Sequence, residues 1–295
     1  MTRILNLRTG EDFSFRQTIA GHGWYDLPPF ELDEIGGSLG VVFLMENKPI
    51  SARISGGDGG VKIELEENST NPDGILETVK HILRLDDDMS EFYRAIDSEP
   101  RLGWIRNYRA GRLLRSPTVF EDLAKTLCTT NCSWSLTRKM VENLVSHLGA
   151  ASQNGAKAFP TAEAMASVSA DFYRDVIRAG YRSPYFLEMA ERVAGGEIDP
   201  ESWLNSELST ANLKREIKQI KGFGNYAAEN MLKLLGRYDD LALDSWLRKQ
   251  FYNKHKKGKP CSDKAIEKFY KPFGKWKGLA IWCDMTESWF SGPSE

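Results

Sequence analysis

The sequence predicts an α+β protein, with an antiparallel, β-rich N-terminal domain (residues 1–100) followed by an all-helical body (residues 101–295). Three observations carry this. First, strand-length apolar runs at Leu39–Met45, Ile50–Ile54 and Val61–Leu65 are separated by turn residues, among them Gly56-Gly57-Asp58-Gly59-Gly60. Second, from Pro72 to Leu85 the spacing becomes helical, with Ile75, Val79, Ile82 and Leu83 on one side, and helical signals dominate from there on. Third, two apolar helical faces between residues 213 and 235 flank a short glycine turn.

With 295 residues and 41% hydrophobic content the chain can bury a substantial core. No apolar run approaches membrane-spanning length, and Met1-Thr2-Arg3 is not followed by a secretory apolar segment, so a soluble cytoplasmic protein is expected. The net charge of −2 argues against nonspecific polyanion binding by the whole chain, but its distribution is uneven. Acidic residues gather early, in Glu64-Leu65-Glu66-Glu67 and Asp86-Asp87-Asp88. Basic residues follow position 244, in Arg248-Lys249 and Lys254-His255-Lys256-Lys257-Gly258-Lys259, which could be a solvated loop or an anion contact. Cys128, Cys132, Cys261 and Cys283 have neither metal spacing nor a dense disulfide pattern, so core thiols and no metal are expected.

In chain order, Phe13–Gln17 and His22–Pro29 are unusually aromatic and are expected to pack the sheet edge against the helical body. Pro117 is placed to start a helix that turns Phe120, Leu123, Ala124, Leu127 and Cys128 inward. Small polar residues from Thr129 to Ser133 interrupt the pattern before Trp134, and a second helix is predicted from Ser135 to Leu148.

Leu213, Ile217 and Ile220 mark the first helix of the hairpin. Ala227, Ala228, Met231, Leu232, Leu234 and Leu235 mark the second. Between them, Lys221-Gly222-Phe223-Gly224 suits a turn that buries Phe223 and admits close approach to its backbone. The amides of Gly222, Gly224 and Asn225 at the start of the second helix favour an anion such as phosphate, with Lys221 beside them. Gly236 is a C-cap candidate, Arg237–Asp240 a polar loop, and Asp244 stands before a further helix, where an N-cap role is the common use. The final helical region, Phe273–Met285, returns to the core, with Trp282 either packed there or lining a pocket.

Turn, second helix, loop and aspartate in this order resemble the helix-hairpin-helix DNA glycosylases. The β-rich start resembles the 3-methyladenine glycosylase II and 8-oxoguanine glycosylase branch, and the clustered iron–sulfur cysteines of the endonuclease III branch are absent after Asp244. The resemblance implies Asp244 as the catalytic carboxylate, and Lys221, Gly222, Gly224, Asn225 and Arg248 as contacts to the DNA backbone. It further implies Asn131 as filler of the gap left by an extruded base, Tyr181 as the inserted wedge and Arg182 as a contact to the widowed base, and it is consistent with a base pocket of Trp24, Tyr226 and Trp282.

Two positions depart from the family pattern. Where bifunctional members carry a Schiff-base lysine, this chain has Tyr226, which implies hydrolysis by water and no lyase activity. Where the 8-oxoguanine branch has a base-reading glutamine, Ile281 stands, and the N-terminal loop lacks the lesion-reading glycine. An aromatic pocket suits a cationic alkylated purine first, and an oxidised or deaminated base second. The expected partner is damaged double-stranded DNA, bound by a nucleoid-associated monomer without a cofactor, apart from a monovalent cation that the hairpin could hold. The rival reading is a non-catalytic helix-hairpin-helix module in which Asp244 is only an N-cap.

Overall fold

The computed structural model describes residues 3–57, 59–65 and 71–290. Asp58 of the glycine turn, Glu66 and Glu67 of the acidic run, and Met1 and Thr2 lie outside the described residues. Strands β1 (Arg3–Arg8), β2 (Glu31–Asp33), β3 (Ser38–Met45), β4 (Lys48–Gly57) and β5 (Gly60–Leu65) form one sheet in the order β1-β5-β4-β3-β2. Every neighbouring pair is antiparallel, as the sequence predicts. Ile50, Ala52 and Ile54 of β4 and Val61, Ile63 and Leu65 of β5 alternate inward and are at most 5% exposed, the period of a sheet with one covered face. Glu46 and Asn47 both take positive φ (51° and 63°), which closes the β3–β4 hairpin with a turn that matches the strand twist.

The helices are α1 (Phe15–Ala20), α2 (Pro72–Leu83), α3 (Ser90–Ile96), α4 (Gly103–Asn107), α5 (Val119–Thr129), α6 (Trp134–Leu148), α7 (Ala162–Ala166), a single turn α8 (Ala170–Phe172), α9 (Ser183–Ala194), α10 (Thr210–Ile217), α11 (Asn225–Leu234), α12 (Ser245–His255), α13 (Asp263–Tyr270) and α14 (Lys277–Phe290). Three ends differ from the sequence reading. α2 stops at Leu83 because Arg84 turns left-handed (φ 54°) and caps it. Thr118, not Pro117, opens α5, its hydroxyl accepting from the Glu121 amide at 3.2 Å. Ser133 caps α6, which therefore starts at Trp134.

Two apolar clusters make up the interior. One joins the covered face of the sheet to α2, α5, α6, α9, α10 and α11. The other joins α3 and α4 to α12, α13 and α14. Residues before position 100 contribute to both. Polar pins reinforce the join. The buried Arg84 donates to the carbonyls of Lys233 (3.3 Å) and Leu234 (3.0 Å), and Arg115 donates to Leu234 O at 2.6 Å, so the carboxyl end of α11 is held by two guanidinium groups. No helix among the described residues is long and apolar enough to cross a membrane.

Candidate active site

The hairpin folds as its glycines require. Gly222 has φ +91°, and a Cβ there would lie 2.7 Å from Leu127 Cδ1 and 3.0 Å from Tyr185 Cδ2, so the turn is seated tightly against α5 and α9. Gly224 has nothing within 4 Å of its Cβ position, so its side of the turn is open. Ile220 and Phe223 are buried beneath it. Helix α11 begins at Asn225, and its N-cap Gly224 supplies no side-chain acceptor to the first amides. Lys221 is exposed and paired with Glu188 of α9. The lysine that reaches the turn is Lys218, whose ammonium donates to Asn225 Oδ1 at 2.8 Å; the sequence reading missed it, although the exposed end of α10 carries it. Arg248 makes a bidentate pair with Asp263 (2.8 and 2.9 Å), so it is engaged within the protein.

The loop from α11 to α12 is fixed from beneath. Glu229 of α11 accepts the Ala242 amide at 2.9 Å and the Lys214 ammonium at 2.5 Å, and Lys214 also reaches Asp240 at 3.1 Å. This anchorage sets Asp244 two residues later. Asp244 is the N-cap of α12, its Oδ1 accepting from the Leu247 amide at 2.6 Å, and it also lines a cavity of about 450 Å³. The two readings of this residue are therefore compatible. The cap bond fixes the carboxylate at the start of α12, and its place in the cavity wall leaves it facing whatever the cavity holds.

The cavity lies where the two apolar clusters meet, and its size is within the ~300–1,000 Å³ range of small-molecule sites. Trp24, Tyr226 and Trp282 all line it. Trp24 is held by its indole N–H on Asp122 (2.7 Å) and Trp282 by its N–H on the carbonyl of Gly21 (2.8 Å). Ile281 next to Trp282 is fully buried in the core and offers no polar reader. The sequence reading missed several walls: Trp134 on α6, Asp26, Trp246, Trp289 and Asn230. Trp134 lies nearly parallel to Trp24 (6.5 Å between centroids, 14° between planes) and donates to Asp26 at 2.6 Å, where Arg138 also pairs. Cys132 lines the cavity as well, while Cys128 and Cys283 are the buried core thiols expected, and all four cysteines are free.

The electrostatics of the cavity are uneven. Burial, reinforced by the charge and hydrogen bond of Asp244, pushes the Tyr226 phenol far above its usual range. Burial also lowers His22 to about 3, helped by the positive charges of Lys233, Lys125 and Arg84, so its imidazole is neutral at pH 7. Lys233 is lowered to about 8 by burial, against the opposing charges of Asp244 and Glu229. Among the described residues no group of three or more His, Cys, Asp or Glu side chains is arranged to hold a metal.

Away from the cavity, Asn131 sits at φ 47° and donates to the Tyr181 hydroxyl at 3.2 Å, and Tyr181 is 53% exposed. Asn131 and Tyr181 are thus brought together on the surface. Arg182 differs from expectation. It is 3% exposed, lies 4.5 Å under the Tyr181 ring and donates to Thr130 Oγ1 at 3.0 Å. The guanidinium therefore supports the tyrosine from behind and is not presented to a base; Ser183-Pro184 starts α9 there and turns the side chain inward.

No family model matches the sequence, and no curated protein matches it. Its fold, however, matches solved structures over their full lengths. A 3-methyladenine DNA glycosylase from Archaeoglobus fulgidus superimposes with a TM-score of 0.78 at 18% identity, covering 98% of this chain and 100% of that one. The 8-oxoguanine glycosylase/lyase of Clostridium acetobutylicum, bound to double-stranded DNA with cytosine opposite 8-oxoguanine, gives 0.74 at 18% identity, covering 97% of each chain. A 3-methyladenine DNA glycosylase from Schizosaccharomyces pombe in complex with abasic DNA gives 0.51 at 21% identity, covering 74% of this chain and 100% of that one. The chain has the fold of these DNA glycosylases.

Proposed function

We propose that this chain is a DNA glycosylase that takes a damaged base from double-stranded DNA into the aromatic cavity and hydrolyses its N-glycosidic bond. The observation that carries the reading is Asp244, an N-cap carboxylate that also forms a wall of the cavity beside Tyr226. Cleavage of an N-glycosidic bond develops positive charge on the deoxyribose, so a fixed carboxylate at the sugar stabilises the transition state more than the ground state. Asp244 can also orient the attacking water. The open side of Gly224 and the first amides of α11 would hold a backbone phosphate and deliver the sugar in register. Tyr181, held by Asn131 and backed by Arg182, is an exposed ring suited to fill the vacated stack.

The hydrolysis needs no cofactor, and a monovalent cation at the hairpin would serve the phosphate rather than the sugar. The nucleophile is water, because the first turn of α11 carries Tyr226 and a phenol forms no imine. The favoured substrate is an N-alkylated purine, supported by the indole and phenol walls, which stack on a cationic base whose bond is already labile. Chromatography of bases released from methylated DNA tests the reading, with Asp244→Asn as the control. Release of methylated purine by the wild type, lost at least a thousandfold in the variant, is expected. No released base, or an undiminished variant, refutes it.

A further inference from the structure

The short helical turn Gly23–Asp26 supplies one indole wall of the cavity and holds another. Its Trp24 is 3% exposed, with its indole N–H on the buried Asp122. Its last residue, Asp26, meets α6, where Trp134 and Arg138 stand four residues apart and so share one face. The Trp134 indole N–H donates to Asp26 Oδ2 at 2.6 Å, and the Arg138 guanidinium pairs with the same oxygen. Trp134 also sits on Gly23, where a Cβ would come within 3.1 Å of its ring. The two nearly parallel indoles are thus each held by a carboxylate of their own. Trp24 is enclosed by packing as well. Trp134 is 40% exposed at the first position of its helix, where other staggered rotamers are open to an aromatic side chain. Its bond to Asp26 selects the one that lies 14° from the Trp24 plane and lines the cavity.

We infer that Asp26 is a positioning residue: through the indole N–H of Trp134 it sets that ring as a preformed wall of the cavity, against which the plane of the entering base is aligned. This rests on the glycosylase reading above. A ring already in place when the base arrives spares the ordering of that side chain on binding. An N–H bonded to a carboxylate is a charge-assisted, directional contact, suited to fixing a ring. Arg138 on the same oxygen offsets the charge of the carboxylate, so Asp26 acts on the base through the ring it holds and not through its own field.

The test uses duplex DNA treated with dimethyl sulfate, which carries both 7-methylguanine and 3-methyladenine. Single-turnover release of each base at saturating enzyme is compared in wild type, Asp26→Ala, Asp26→Asn, Trp134→Phe and the double variant Asp26→Ala/Trp134→Phe. With alanine, release of both bases is expected to fall about tenfold and alike, because a ring wall meets the face of either base. Asparagine keeps an acceptor oxygen for the indole N–H and removes the charge, so it is expected to restore release to within about threefold of wild type. Phenylalanine at 134 has no N–H for Asp26 to hold, so in that background Asp26→Ala is expected to cause no further loss. A role confined to bracing the Gly23–Asp26 turn would add its loss to that of Trp134→Phe. Action of the charge on a cationic base would make asparagine as poor as alanine, and direct reading of a base edge would separate the two bases. Any of these three results, or an alanine variant equal to wild type, overturns the inference while leaving the glycosylase reading intact. A wild type that releases neither base refutes both.

Discussion

Replacing Lys233 by methionine is expected to raise stability at neutral pH. Burial holds the lysine at about 8 against its ordinary 10.5, a difference worth about 3 kcal/mol at ~1.36 kcal/mol per unit. The carboxylates acting on it are Asp244 and Glu229, with His22 and the guanidinium groups at the end of α11 nearby. Between pH 8 and 10.5 the unfolded chain binds more protons at this position than the folded one, so the wild type gains stability as pH rises through that window. The methionine variant has nothing to titrate there, and its advantage is therefore full below pH 8 and vanishes above about 10.5. Loss of the contact with the Trp282 ring removes about 1 kcal/mol of the gain. The remainder, about 2 kcal/mol, corresponds to a rise in Tm of about 5 °C at pH 7. Thermal unfolding of both proteins followed by circular dichroism at pH 7 and pH 10 measures this. A variant that melts lower at pH 7, or whose offset is the same at both pH values, refutes the account of Lys233 as an uncompensated buried charge.

Asp244→Asn is expected to melt within about 1 °C of wild type, because asparagine caps a helix as well as aspartate, whereas Asp244→Ala should lose about 1 kcal/mol. A large loss of stability in the asparagine variant would show that the carboxylate has a structural duty beyond the cap. Gly222→Ala is expected to destabilise the fold by about 2 kcal/mol, through its positive φ and its contact with Leu127. Gly224→Ala should leave Tm unchanged and weaken binding to all duplex DNA, as measured by fluorescence anisotropy; equal affinity would exclude the turn as a phosphate grip. His22 and His81 are both held neutral, at about 3, so the unfolded chain takes up protons near pH 6.5 that the folded chain refuses. Stability should therefore fall as pH drops from about 6.5 toward 3, and a melt flat across that range would contradict it. Borohydride added during turnover is expected to trap no protein–DNA adduct, and an adduct formed at the rate of base release would show an amine at work.

The parts of the site legible in the sequence are those whose information is local. The glycine turn, α11 and Asp244 lie within 25 residues, and φ preference, helical spacing and cap chemistry act over that range. The walls of the cavity were legible only in part, because they are brought together from the segment between α1 and β2, from α6 and from α14, which touch only after folding. Trp134 reads locally as the first residue of a helix, and nothing near it in sequence points to Trp24 or Asp26. Arg182 and Arg248 read as exposed cations because their partners, Thr130 and Asp263, lie 52 and 15 residues away. Lys233 was within reach, since its spacing from Tyr226 and Asn230 puts a charge on an otherwise inward helical face. Strand β1 was hidden by its place at the sheet edge, where its residues alternate only between half-buried and exposed and the apolar Ile4 is 51% exposed.

The grip of Arg84 and Arg115 on the last carbonyls of α11 means that the helix carrying Tyr226 cannot fray on its own. Its final turn can open only if guanidinium groups from before and after position 100 are withdrawn together. Amide exchange at the end of α11 should then follow exchange in α2, as one cooperative unit. The helical body is for the same reason not a portable module. Severed from the β-rich segment, it would lose Arg84 and its share of the apolar interior, together with His22 and Trp24 from the cavity wall.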